Sequence, residues 1–297
     1  MLNTIQNRSY RVLSDFAYLL TRQKYAGNLP KLSPFDQSIV DAINREGVFV
    51  TSLEDLAITS TPQLLTSAMS IVSRLQADMW DGPTQVQWDS PTQPTQVITL
   101  TDYQDIFLWG LEERLLNIVE NCIGLPVTYH GVNLRRNIPN SDQKGREGSW
   151  HRDGEDRRVV KIIIYLSDIS EKNGPFEYIP KPLTPSFLSF KHIHMYPKIL
   201  KHGFSALSDE ELKKIVPESE WKACLGPAGT VIFVDTRNVF HHGKLPRAER
   251  SSLFFVYTSR HPTRPDICKA NFIFDKDRLL TLAKTLPQHQ RDCLDLN

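Results

Sequence analysis

The feature that most constrains this chain is a change of texture near residue 126. From there to about residue 259 the sequence is a series of short runs separated by turn residues: VTYHGVNLRRNI, VVKIIIYLSDI, FEYIP, TVIFVDT and SSLFFVYTS. Runs this short and this rich in β-branched and aromatic residues specify a sandwich or barrel. Before the change the periodicity is helical. Val12, Phe16, Leu19 and Leu20 share one face, and a second pattern joins Phe35, Ile39, Val40 and Ile43. Ser33 has the chemistry of an N-cap, Pro34 suits the first helical position, and Gly47 follows the last periodic residue, after which VFV reads as a strand. Helices are predicted over about 62–80 and 103–122, with the polar, proline-rich GPTQVQWDSPTQPTQ between them as a long surface loop.

The expected architecture is therefore α+β with a predominantly β core, in one catalytic domain over 1–297. Residues 1–124 form a mainly helical part packed on the barrel, 125–275 the β core and 276–297 a closing helix. Residues 182–224 read as a lid-like insertion over the barrel mouth, carrying a short helix in which Ser208 and Glu211 have capping-box spacing.

Composition removes several function classes. Lys and Arg number 35 against 34 Asp and Glu, so no basic field draws nucleic acid. No apolar run reaches membrane-spanning length, and the N-terminus lacks the h-region and cleavage site of a signal peptide. Four widely spaced cysteines without a CxxC pair suit a reducing compartment. The expectation is a soluble cytoplasmic protein with a small-molecule substrate and no obligate protein partner.

The chemistry concentrates in SWHRDG. On a strand, His151 and Asp153 project to one face and make a chelate for a divalent metal. A third ligand from a distant strand completes the 2-His-1-carboxylate arrangement that leaves coordination positions open. His241, after the buried run TVIFV, is favoured for that role over its neighbour His242, because adjacent side chains face opposite ways and Gly243 lets the backbone pass close. Arg250 opens the next strand, where its guanidinium can pair with the distal carboxylate of a dicarboxylic co-substrate. Read alone, an arginine there is better explained by solvation, and Arg247 is a less well placed rival. Arg135, Glu177 and Tyr178 are candidates for the substrate pocket; of the pair Arg135 and Arg136, one alone can point inward. His192, His194 and His202 lack a completing carboxylate or thiolate and read as a loop near the entrance.

In order and spacing, SWHRDG, NGPFEYIP, GPAGTVIFVDTRNVFHHG and RSSLFFVY resemble the phytanoyl-CoA dioxygenase-like branch of the Fe(II)/2-oxoglutarate dioxygenases, over residues 130–258. The resemblance implies a double-stranded β-helix, or jelly roll, flanked by helices. It implies Fe(II) held by His151, Asp153 and His241, with Arg250 and Ser252 on the far carboxylate of 2-oxoglutarate. It also implies O2 as oxidant and release of succinate and CO2. Asp153 stands where halogenating relatives carry a small residue, so hydroxylation, desaturation or cyclisation of a C–H is expected over chlorination. The Lys181-Pro-Leu stretch departs from the family's usual Gly-Ser-His, so the substrate loop is not transferable.

Overall fold

A computed structural model describes residues 15–79, 85–90, 93–99, 103–139, 149–184, 207–271 and 276–294. Helix α1 (15–25) forms where expected. Its inward face is not the one the apolar spacing indicates. Phe16, Leu19 and Leu20 are exposed, whereas Tyr18, Arg22 and Tyr25 are half-buried, with Tyr25 donating to Glu120 at 2.6 Å. Long amphipathic side chains bury their stems and aromatic faces, so they compete well for an inward stripe. Val12 lies outside the described residues.

Helix α2 (Pro34–Glu46) is punctuated as its sequence requires. Ser33 Oγ accepts from the Asp36 N–H at 3.1 Å, and Gly47 ends the helix at φ +87°, a left-handed conformation that glycine adopts without a steric penalty. Strand β1 (Val48–Ser52) follows, then α3 (Leu53–Leu56) and α4 (Thr61–Gln76). The single helix expected over 103–122 is instead α5 (Gln104–Trp109) and α6 (Glu113–Ile123). The break falls at Gly110, where a Cβ would collide with the Tyr129 ring and Phe255, and whose carbonyl accepts from Tyr257 Oη at 2.7 Å.

The stretch read as a surface loop is a hairpin, β2 (Gln85–Ser90) and β3 (Gln93–Thr99), which extends the large sheet. Polar composition does not forbid a strand, because the ladder is made by the main chain. Pro94 precedes Thr95, the first residue paired with the next strand, so its missing N–H costs that ladder nothing.

The remaining strands fall in the predicted runs: β4 (Val127–Asn137), β5 (Val160–Tyr165), β6 (Phe176–Tyr178), β7 (Lys222–Cys224), β8 (Thr230–Asp235), β9 (His241–Gly243) and β10 (Arg250–Ser259). Two sheets result. The larger has the order β1-β8-β5-β10-β4-β3-β2 and the smaller β7-β6-β9, continued by antiparallel bridges from His151 to His241 and from Trp150 to Leu207. This is the double-stranded β-helix. Because β7 belongs to the small sheet, the segment expected to insert over the barrel ends inside the barrel wall. The capping box at Ser208 forms as predicted, with Glu211 N donating to Ser208 Oγ at 3.2 Å at the head of helix Asp209–Lys213.

The back of the large sheet packs on the helices. Ile162, Ile164, Phe233, Leu253, Phe255 and Tyr257 share one buried cluster with Ile39, Ile43, Leu64, Trp109, Leu116 and Ile123. The front faces the small sheet and leaves a cavity between them. Where one closing helix is expected over 276–297, the last described elements are two short helices, Lys276–Ala283 and Gln288–Asp292. Among the described residues no helix is long and apolar enough to cross a membrane, and the four cysteines are buried and free.

Candidate metal and co-substrate site

The cavity has a volume of roughly 270 Å³, and the alternation of strand side chains decides what lines it. From β4 come Asn133, Arg135 and Asn137, from β10 Arg250, Ser252, Phe254 and Val256, and from β5 Lys161, Ile163 and Tyr165. Opposite them stand His151, Asp153, Phe176 and His241.

His151, Asp153 and His241 converge, each offering one donor atom, with all three donors within 4.8 Å of one another. Asp153 Oδ1 lies 3.7 Å from His151 Nε2 and 3.9 Å from His241 Nε2. The other ring nitrogens face backbone carbonyls: His151 Nδ1 is 2.9 Å from Ser149 O, and His241 Nδ1 is 3.3 Å from Val239 O. Donation to those carbonyls leaves each Nε2 lone pair for an ion. Phe176 stacks on the His241 ring with centroids 5.4 Å apart.

Strand geometry accounts for His151 but not for Asp153, which lies beyond the His151–His241 bridge in a loop. Its position is set instead by its N–H, which donates to Thr236 O at 3.1 Å, and by its carbonyl, which accepts from Arg237 at 2.9 Å. Its Oδ2 meets Lys161 Nζ at 2.6 Å. Burial by itself pushes the Asp153 carboxyl up, but the Lys161 ammonium, the largest opposing cause, outweighs it and holds it well below the usual carboxylate range. Burial, reinforced by His151, pulls His241 well below the ordinary histidine value, so its ring is neutral. An ionised carboxylate and a neutral imidazole are the protonation states a divalent ion requires.

His242 takes a different part. It faces Glu177, whose Oε2 is 2.8 Å from His242 Nε2, and stacks on Trp150 with centroids 3.9 Å apart. Glu177 also accepts from Lys244 at 2.9 Å. Tyr178 packs with Ile163 and Tyr165 in the core between the sheets. Neither Glu177 nor Tyr178 is among the described residues lining the cavity. The alternation that turns Phe176 inward turns Glu177 to His242. Arg135 lines the cavity, with its guanidinium 4.6 Å from the Phe254 ring centroid, while Arg136 turns outward to Glu249 at 2.8 Å. His192, His194 and His202 lie outside the described residues.

At the other end of the cavity Arg250 is buried, with Nε 3.3 Å and Nη2 3.2 Å from Asn137 Oδ1, its cross-strand partner. Arg247 is exposed. Ser252, the next residue along the same face of β10, is 1% exposed, and among the described residues its Oγ has no hydrogen-bond partner. A buried hydroxyl left unbonded is costly, and beside a guanidinium it forms a receptor for an anionic ligand. Tyr165 completes this wall, its hydroxyl donating to Cys224 O at 2.9 Å and accepting from Phe176 N at 3.2 Å.

Lys161, Tyr165 and Phe176 were not singled out from the sequence. Lys161 carried a usable signal, being the one charge inside the apolar run VVKIIIY. The aromatic pair carried none, because an inward aromatic on a buried strand is ordinary core chemistry.

No protein-family model and no curated protein matches the sequence. Solved structures do share the fold. The non-haem α-ketoglutarate-dependent epimerase SnoN from nogalamycin biosynthesis aligns at 15% identity over 76% of this chain and 81% of its own, with a TM-score of 0.51. EctD from S. alaskensis, solved with 2-oxoglutarate and 5-hydroxyectoine, aligns at 20% identity over 77% and 76%, with a TM-score of 0.52. The carbocyclase SnoK from nogalamycin biosynthesis aligns at 14% identity over 81% and 90%, also with a TM-score of 0.52. The chain therefore has the double-stranded β-helix fold on which non-haem iron, 2-oxoglutarate-dependent enzymes are built.

Proposed function

We propose that this protein is an Fe(II)- and 2-oxoglutarate-dependent oxygenase that oxidises a C–H bond of a small molecule, by hydroxylation, desaturation or cyclisation. The observation that carries the reading is the convergence of His151 Nε2, Asp153 Oδ1 and His241 Nε2 in a cavity whose far end holds Arg250 and the unbonded Ser252 hydroxyl. Two imidazoles and one carboxylate on one side of an ion are the donor set of non-haem Fe(II) oxygenases. The far end fits a dicarboxylate: Arg250 pairs with the distal carboxylate, and Ser252 donates to it the hydrogen bond it otherwise lacks. A metal enzyme that did not use 2-oxoglutarate would have no need of a dicarboxylate anchor here.

Fe(II) with 2-oxoglutarate supplies activation of O2 coupled to decarboxylation of the co-substrate to succinate and CO2. The chain's own residues bind, orient and exclude water. Ile163, Tyr165, Phe176 and Phe254 supply the apolar part of a lining that also carries Asn133, Arg135, Asn137, Lys161 and Arg250. Arg135 faces the same space and is positioned to orient a polar substrate group.

Anaerobic addition of Fe(II) and 2-oxoglutarate should produce the weak visible charge-transfer band of the chelate, and aerobic assays against a metabolite library should couple 2-oxoglutarate loss to succinate. The band should be lost in Asp153→Ala and His241→Ala and kept in His242→Gln. Metal binding with no band and no succinate from any mixture would reject 2-oxoglutarate as co-substrate.

A further inference from the structure

Lys161 is the one charged residue of β5, on the strand face turned to the cavity. Along β5 its neighbours Val160, Ile162, Ile163 and Ile164 are buried, and across the sheet it is paired with Val256 and Val234. Its side chain is 15% exposed, and an ammonium so placed is costly to keep unless it is paired. Two buried carboxylates face it, Asp153 and Glu155, and the close contact is with one particular oxygen of Asp153. Nζ lies 2.6 Å from Asp153 Oδ2, whereas Oδ1 is the oxygen directed at the two imidazole Nε2 atoms, at 3.7 and 3.9 Å. The backbone of Asp153 is already fixed by Thr236 and Arg237. What remains is the side chain, with χ1 among its staggered rotamers and a terminal carboxylate torsion that is intrinsically broad.

We propose that Lys161 is a positioning residue that holds the second oxygen of Asp153, so that the aspartate reaches the metal through Oδ1 alone. The inference rests on the metal reading above and extends it to a residue outside the ligand set. A one-oxygen aspartate matters for the chemistry. A bidentate co-substrate and O2 together need every coordination position the three protein donors leave open, and a second aspartate oxygen on the metal would occupy one of them. A cationic partner sets this site apart from one in which the free oxygen is bonded by a neutral group, so replacement by arginine should keep the function and replacement by methionine of similar length should remove it.

The test titrates apo protein with Co(II) by calorimetry and follows unfolding of the same apo samples by circular dichroism. Wild type should bind one Co(II). Lys161→Met should bind it about 10- to 100-fold more weakly, the range for loss of a partner behind a metal ligand, and Lys161→Arg should recover most of that loss. A crystal structure of Co(II)-loaded wild type, which depends on no variant, should show Oδ1 on the metal and Nζ still on Oδ2. Equal or tighter Co(II) binding by Lys161→Met, or a loaded structure in which Lys161 has left Oδ2 or both oxygens bind cobalt, overturns the proposal. So does a lowered melting temperature in Lys161→Met with unchanged metal affinity, which would make the pair purely structural. Failure of wild type to bind Co(II) or Fe(II) at all overturns the metal reading, and this proposal with it.

Discussion

On β9 three consecutive residues are assigned by direction alone. His241 faces the cavity, His242 turns to Glu177 and Trp150, and Gly243 sits against Arg250, where a Cβ would come within 2.9 Å of Nη2. The glycine is there for that close approach. Gly243→Ala should displace the guanidinium from the co-substrate end and leave the metal donors in place. We expect 2-oxoglutarate affinity to fall by about tenfold, equivalent to about 1.4 kcal/mol, with Co(II) affinity unchanged, both measured by calorimetry. An unchanged 2-oxoglutarate dissociation constant would count against Arg250 as the anchor. At this scale the sequence was informative wherever residue type and alternation settle direction, as for His241 against His242 and Arg135 against Arg136. It was silent on Asp153 Oδ2, because Lys161 meets that oxygen only after β5 is laid across from the HxD loop.

The elements carry a different lesson, shown by the break between α5 and α6. Helical periodicity runs through 103–122 without a strong stop, yet the chain turns at Gly110 because the Tyr129 and Phe255 rings of β4 and β10 occupy the space a side chain would need. Those rings are fully or almost fully buried and cannot yield cheaply. Gly110→Ala should therefore destabilise the fold by about 1–3 kcal/mol, the cost of overpacking a dense core, read as a lower urea midpoint at constant m-value; an unchanged midpoint would show that the packing here is loose. The hairpin β2–β3 was illegible for a related reason. Its pairing partner is β4, more than thirty residues on, and no local pattern in a glutamine-rich stretch announces a partner so distant. The predicted strands from 127 to 259 were legible because each is a run of β-branched or aromatic residues bounded by turns, so local preference and tertiary fate agree.

For the molecule as a whole, the two ends of the proposed ligand site belong to different sheets. The histidine donors lie on the small sheet, at β9 and the strand segment bridged to it, whereas Arg250 and Ser252 lie on β10 of the large one. A dicarboxylate chelated at one end and paired at the other therefore ties the two sheets together, and ties them only when both ends are present. Ligand that binds the folded state alone stabilises it by an amount set by its concentration relative to its dissociation constant, about 2.7 kcal/mol at a hundredfold excess. For a domain of 150–250 residues each kcal/mol moves the melting temperature by about 2–4 °C, and this chain of 297 residues belongs at or below the low end of that range. With Co(II) present and O2 excluded, 2-oxoglutarate at that excess should raise the melting temperature by roughly 5 °C. The rise should vanish when the metal is removed by chelator, because the small-sheet end is then lost, and in Arg250→Ala, because the large-sheet end is lost, although that variant still gains stability from the metal alone. A 2-oxoglutarate shift that survived chelation would mean the dicarboxylate binds by its distal end only, and that the two sheets are not bridged.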